Sequence, residues 1–197
     1  LRGEFRLINF FIYLSNHLKL LLMKKLFFAF LILISFSAQS QVLQFGIKGG
    51  YNNSTLSGDG DISSLSGYHA GVFASIDLVV LDVVPELVYS TQGAKVSDQD
   101  VKLNYLNVPI MARLNLLKIL YLEAGPQFGF LMSAEDGGED IKDDLESTDF
   151  AVGVGAGVEL FDKFDVSARY NFGTTDVTKG AGDYKNNVFQ FGLAYKF

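Results

Sequence analysis

A single histidine, His69, follows residue 40, and Ser75, Asp77 and Ser90 lie near it in the sequence. Histidine with a serine and an acid is the set that acyl transfer uses: a hydroxyl nucleophile, a base for its proton and a carboxylate to orient the base. That chemistry needs the groups joined in a chain of hydrogen bonds, and no motif here fixes one. The plainer expectation for His69 is a polar interior residue. A second candidate is the run Glu135 to Asp149, EDGGEDIKDDLESTD, dense enough in carboxylates to hold calcium or to bridge to surface polysaccharide through divalent ions. It lacks the ligand spacing of an EF-hand loop, so a solvated, mobile acidic loop is expected. The string GVGAG at 153–157 resembles a phosphate loop in composition only, because no helix or lysine follows it. A third set consists of the charges Lys48, Glu86, Arg113, Glu123, Glu159, Arg169 and Lys196, with Asp77 and Asp165 beside them. These are spread along the chain, and what they can do depends on the elements that carry them.

Those elements are strands. From residue 43 onward the chain alternates large apolar residues with small or polar ones, the period of a strand. Eight segments show it: Leu43 to Asn52, Gly67 to Asp77, Val83 to Gly93, Val101 to Leu114, Ile119 to Met132, Phe150 to Leu160, Phe164 to Phe172 and Asn187 to Phe197. In the last, Phe189, Phe191, Leu193, Tyr195 and Phe197 oppose Val188, Gln190, Gly192, Ala194 and Lys196. The third is less clean, and Pro85, which cannot donate to a ladder, predicts a bulge or a strand start there. Residues 53–66, 94–100, 133–148 and 174–186 form long polar connections, whereas 78–82, 115–118 and 161–163 are short. Long and short alternate, as in an up-and-down barrel that crosses a bacterial outer membrane with short periplasmic turns and longer outer loops.

Composition agrees. The 197 residues include no cysteine, which excludes disulfides, thiolate metal sites and a lipidated N-terminal cysteine. The first forty hold Arg2, Arg6, Lys19, Lys24 and Lys25 against Glu4, so the formal charge of −6 becomes −10 beyond them. That balance argues against nucleic acid, whose ligands need basic patches. Met23-Lys24-Lys25, the apolar run Leu26 to Phe36 and Ser37-Ala38-Gln39-Ser40 have the three parts of a cleavable signal peptide. The expected organisation is therefore 1–22 an over-extended start, 23–40 the signal peptide with cleavage after Ser40, and 41–197 the barrel.

Side-chain size says which face points inward. The interior of an eight-stranded barrel is just filled by side chains, and the apolar face carries Phe45, Phe128, Phe130, Phe150, Phe172, Phe189 and Phe191, too bulky a set to enclose. The opposite face carries Gly46, Gly50, Gly71, Gly125, Gly129, Gly153, Gly155, Gly157 and Gly192, which are expected to make room for longer charged neighbours. The third set of charges lies on that inner face, nearly balanced in sign. Buried charges must pair, so an ion-pair network plugging the lumen is expected. Aromatic girdles are expected at Phe45, Phe164, Tyr195 and Phe197 below, and at Tyr51, Tyr68, Tyr89, Phe130, Phe150, Phe172 and Phe189 above.

The phrases GYHAGVFASIDL, VVPELVYSTQGAKV, LNYLNVPIMARLNL and YLEAGPQFGFLMSA, in this order, resemble the outer-membrane β-barrel domain family that includes the PorT-like proteins. The resemblance covers nearly all of residues 42–197. It implies an all-β, eight-stranded antiparallel transmembrane barrel in outer-membrane lipids, whose terminal Phe197 is read by the barrel-assembly machinery. PorT-like members are linked to a protein-secretion system, so secretion-system or other surface proteins are expected partners. The leading reading is a non-enzymatic structural or accessory barrel with interacting loops and no cofactor. A secretion component, a narrow channel and, last, a lipid A-modifying enzyme using His69 are the alternatives. The protein is expected in the outer-membrane fraction, with gel mobility that changes on boiling; recovery as a soluble periplasmic protein would reverse the inside-out assignment.

Overall fold

The computed structural model describes residues 43–57, 62–78, 80–96, 99–116, 119–179 and 184–197. The expected start segment, signal peptide and cleavage point lie outside these residues. Eight strands form the barrel: β1 (Leu43–Ser57), β2 (Ile62–Asp77), β3 (Asp82–Val96), β4 (Gln99–Asn115), β5 (Leu120–Asp136), β6 (Thr148–Leu160), β7 (Phe164–Gly173) and β8 (Lys185–Lys196). Each pairs antiparallel with its neighbours in sequence, and β1 pairs with β8 through Ile47 opposite Tyr195 and Gly50 opposite Gly192. The sheet therefore closes on itself and leaves no barrel strand with an unpaired edge. Inside a bilayer such closure is obligatory, because lipid offers no partner to a backbone N–H or C=O.

The apolar faces point outward. Phe45, Phe128, Phe172 and Phe191 are each about half exposed, whereas Glu86, Arg113, Glu123 and Arg169 are buried at 5% or less. At the short-turn end, Phe164 and Tyr195 stack across β7 and β8 with ring centroids 5.1 Å apart, and Phe197 meets Tyr195 edge-on at 5.7 Å. At the other end Phe128 contacts Phe150 at 5.2 Å and Tyr68 contacts Tyr89 at 6.4 Å. The turn after β6 is closed by Lys163 N–H, which donates to the Leu160 carbonyl at 3.2 Å. Phe161 and Asp162 both take positive φ there, 55° and 57°, the geometry that joins twisted strands in two residues.

Three expectations change. The strands run past the alternating stretches at the long-loop end, so the connection expected at 94–100 shrinks to residues 97–98, between the paired Val96 and Gln99. The apolar period ends where lipid ends, but the ladder continues on polar pairs such as Thr55 with Asn187 and Thr91 with Asn104. Pro85 begins no strand and makes no bulge: it sits inside β3, in register opposite Ile110. The irregularities fall between Ser64 and His69 and at Asn104/Tyr105, where β5 holds an extra residue. That residue reverses the alternation after Leu131, so that Ala134 rather than Ser133 is fully buried.

The inner glycines also serve other neighbours than expected. A Cβ on Gly46 would lie 2.4 Å from the Phe73 ring, and one on Gly157 would lie 2.3 Å from the Tyr121 ring. The space goes to rings as much as to charges. At Gly125 a Cβ would lie 2.1 Å from the Ile110 carbonyl oxygen, which belongs to backbone and cannot swing away. Gly125→Ala is therefore expected to destabilise the barrel by about 1–3 kcal/mol, read as a lower urea midpoint for unfolding from liposomes.

Candidate functional site

The lumen is filled in three tiers. Nearest the short turns is a charged tier that brings the inner-face charges together. The Arg169 guanidinium lies at its centre, gripping Glu86 through two bonds of 3.0 and 2.7 Å and reaching Glu123 with Nε at 2.8 Å. Lys48 Nζ donates to Glu86 at 2.8 Å. Arg113 bridges Asp165 at 3.2 Å and Glu123 at 3.5 Å, with its guanidinium carbon 3.8 Å over the Tyr121 ring. Lys196 pairs with Glu159. Four cations thus face four carboxylates, and six of the eight groups come from strands that are not sequence neighbours of their partners. Asp77 lies at the end of β2, in register opposite Asp82.

The middle tier is neutral. Asn52 Nδ2 donates to the Tyr68 and Thr91 carbonyls and to Ser90 Oγ, at 3.1, 3.0 and 2.9 Å. Carbonyls only accept, so this orientation turns Asn52 Oδ1 toward His69 Nδ1 at 2.8 Å and toward Gln190 Nε2 at 3.2 Å. An amide oxygen cannot donate, which fixes His69 as the tautomer protonated at Nδ1. Gln190 also accepts from Asn171 at 3.1 Å.

Above it the third tier is apolar. Leu103, Tyr105, Leu131 and Ala134 from the barrel wall pack with Leu145 and Val177, which arrive from the two long connections. Backbone bonds lock those connections together: Glu146 N–H donates to the Val177 carbonyl at 2.9 Å, and Lys179 N–H to the Asp144 carbonyl at 3.3 Å. Lys179 Nζ reaches the Asp143 carbonyl at 2.8 Å, and Thr175 Oγ1 donates to Asp149 Oδ1 at 2.6 Å. We call this joined unit the clasp.

The outer membrane protein beta-barrel domain family matches residues 26–197. The chain belongs to this family. No curated protein matches it in sequence. Among solved structures it is similar to Neisserial surface protein A, with a TM-score of 0.56 and 16% identity over 78% of this chain and 97% of that one. It is also similar to Ail, the attachment invasion locus protein of Yersinia pestis, in complex with the heparin analogue sucrose octasulfate. There the TM-score is 0.52 and the identity 20%, over 80% of this chain and all of the other. At such identities the likeness is one of fold.

As a member of this family the protein is an integral barrel of the bacterial outer membrane, with its long connections outside the cell. The remaining candidates can be placed on that frame. Ser90 Oγ is taken by Asn52 and Gln92 rather than by His69. Ser75 and Asp77 lie six and eight residues along the same strand from His69, about 20 and 26 Å away at strand rise. The three do not converge on the imidazole. The acidic run is solvated along most of its carboxylates, as its composition suggests, but it is an ordered segment rather than a free loop. It continues β5, turns at Gly137-Gly138 into a two-residue rung at Glu139–Asp140, makes a 3-10 turn at Lys142–Asp144 and buries Leu145. Among the described residues it gathers no group of three carboxylate or histidine ligands around a common point. GVGAG lies within β6.

The clasp is what sequence reasoning missed. Its signal was slight: Ile141, Leu145 and Val177 are isolated apolar residues among acids and threonines, with no period to mark a face. Leu145→Asp is expected to release both connections at once, seen as new trypsin cleavage after Lys179 in outer-membrane vesicles, while the barrel keeps its heat-modifiable mobility.

Proposed function

We propose that this protein is a non-enzymatic, non-conducting outer-membrane barrel that presents its outer connections, led by the clasp, as an interaction surface. The double filling of the lumen carries the reading: charge pairs below and an apolar closure above take up the space a pore would need. The bonding around His69 also speaks against acyl transfer. Its Nδ1–H meets the Asn52 amide, and the nearby hydroxyl of Ser90 is bonded to Asn52 and Gln92, so no serine is joined to the imidazole as a nucleophile. Ail was crystallised with a polyanion, but a polyanionic ligand suits this chain poorly, since residues 135–149 hold eight carboxylates against Lys142 alone. Partners with basic surfaces fit that charge better.

Phe197 supports a role in biogenesis. It ends the closing strand, its N–H donates to the Phe45 carbonyl at 2.9 Å, and its ring is 73% exposed, open to the assembly machinery. The narrower PorT-like reading rests on the phrases around Pro85 and Pro126, and would make the clasp a docking point for secretion-system proteins. Deletion of the gene with a surface-secretion readout separates the two: lost secretion favours the PorT-like role, and intact secretion the general accessory one. In planar bilayers the purified protein is expected to give no discrete conductance steps at moderate voltage. Reproducible single-channel steps would replace the accessory reading with a channel.

A further inference from the structure

The charged tier contains three polar atoms that its ion pairs leave over. Tyr121 Oη, Asp165 Oδ1 and Arg113 Nε are buried without a hydrogen-bond partner among the described residues. Their side chains are 1%, 2% and 5% exposed, so bulk water does not reach them. The other oxygen of Asp165 and another nitrogen of Arg113 are paired with each other at 3.2 Å, which leaves Oδ1 with unused acceptor capacity. Tyr121 is fixed by Arg113 above its ring and by Gly157, where even a Cβ would strike Oη at 2.3 Å. The phenol cannot turn elsewhere for a partner. Tyr121 and Asp165 line a small space with Lys48, Arg113 and Ser167, about 10 Å³ in volume.

We propose that this space is a binding site for one structural water, which accepts from Tyr121 Oη and donates to Asp165 Oδ1. A buried water needs roughly 10–15 Å³ for its centre and two to four polar partners, and Ser167 Oγ and Lys48 Nζ stand in the same wall to complete the set. Water rather than a metal ion suits the site, because the surrounding charges already balance and Lys48 and Arg113 repel a cation. The water connects β5, which carries Tyr121, to β7, which carries Asp165. These strands are separated by β6 and share no ladder, so the site ties the barrel across its lumen as the ion pairs do.

A high-resolution crystal structure of the wild-type barrel tests this, with Tyr121→Phe as the matched variant. The wild type is expected to show one ordered water within about 3.2 Å of both Tyr121 Oη and Asp165 Oδ1, and the variant to lose it. Water-to-ring cross-peaks from Tyr121 in the NMR spectrum of the wild-type protein in micelles give the same answer if Tyr121→Phe does not fold. A dry space, a direct bond from Tyr121 Oη to a protein group, or a metal ion in its place would overturn the proposal, as would a water retained unchanged in Tyr121→Phe.

Discussion

Charge inside a narrow barrel has only other charge to answer it, and in this protein the answer is organised by Arg169. Its guanidinium meets Glu86 in a fork and Glu123 edge-on, 2.7 to 3.0 Å from each. Around it Lys48 takes the remaining capacity of Glu86, while Arg113 shares Glu123 and links it to Asp165. A planar, permanently charged group with five donors suits this place in a way lysine does not. Gly155 of β6 lies against the backbone of Arg169: a Cβ there would be 2.7 Å from the Ala168 carbonyl oxygen and 3.2 Å from the Arg169 Cα and Cβ. The lipid face follows from the network, because strands whose inner side must hold these charges turn most of their large apolar residues outward, with Phe73, Met111 and Tyr121 among those that stay inside.

The barrel was legible in the sequence because its two environments, lipid and lumen, alternate with every residue. A period of two then encodes strand and face together, side-chain size says which face is inner, and the inner position of Glu86 or Arg169 follows from the two. What lay beyond the membrane was not legible in that way. Above the girdle the outer face of a strand meets water instead of lipid, so Asn53 to Ser57 carry no apolar period, yet their backbones stay paired. The clasp was hidden for a related reason. Its core is built from single residues of distant segments, Leu103, Leu131, Leu145 and Val177, and only the closed barrel brings them together. The extra residue in β5 was hidden too, since the reversal it causes at Ala134 resembles the end of a strand.

The two fillings of the lumen differ in kind, and this bears on what the protein does. The charged tier is assembled from seven of the eight strands and is part of the barrel itself. The clasp is built from connections, rests on a few apolar contacts and offers its acidic outer side to the medium. On the proposed reading, function in such a molecule falls to the surface connections, as it often does where a rigid scaffold carries its loops. A preordered loop pair binds with less entropic loss than a free one, which gives the buried Leu145 and Val177 a purpose beyond closing the mouth.

The central claim is that the lumen charges stabilise the barrel as a coupled network rather than as separate groups. A double-mutant cycle between Arg169 and Glu86, using Arg169→Met and Glu86→Met in urea unfolding from liposomes, tests it most directly. Each single replacement strands opposite charge and is expected to cost about 3–5 kcal/mol. The double leaves Lys48 and Glu123 to balance one another, so its cost should fall short of the sum by about 2 kcal/mol or more. Additive losses, or single replacements without effect, would contradict the account.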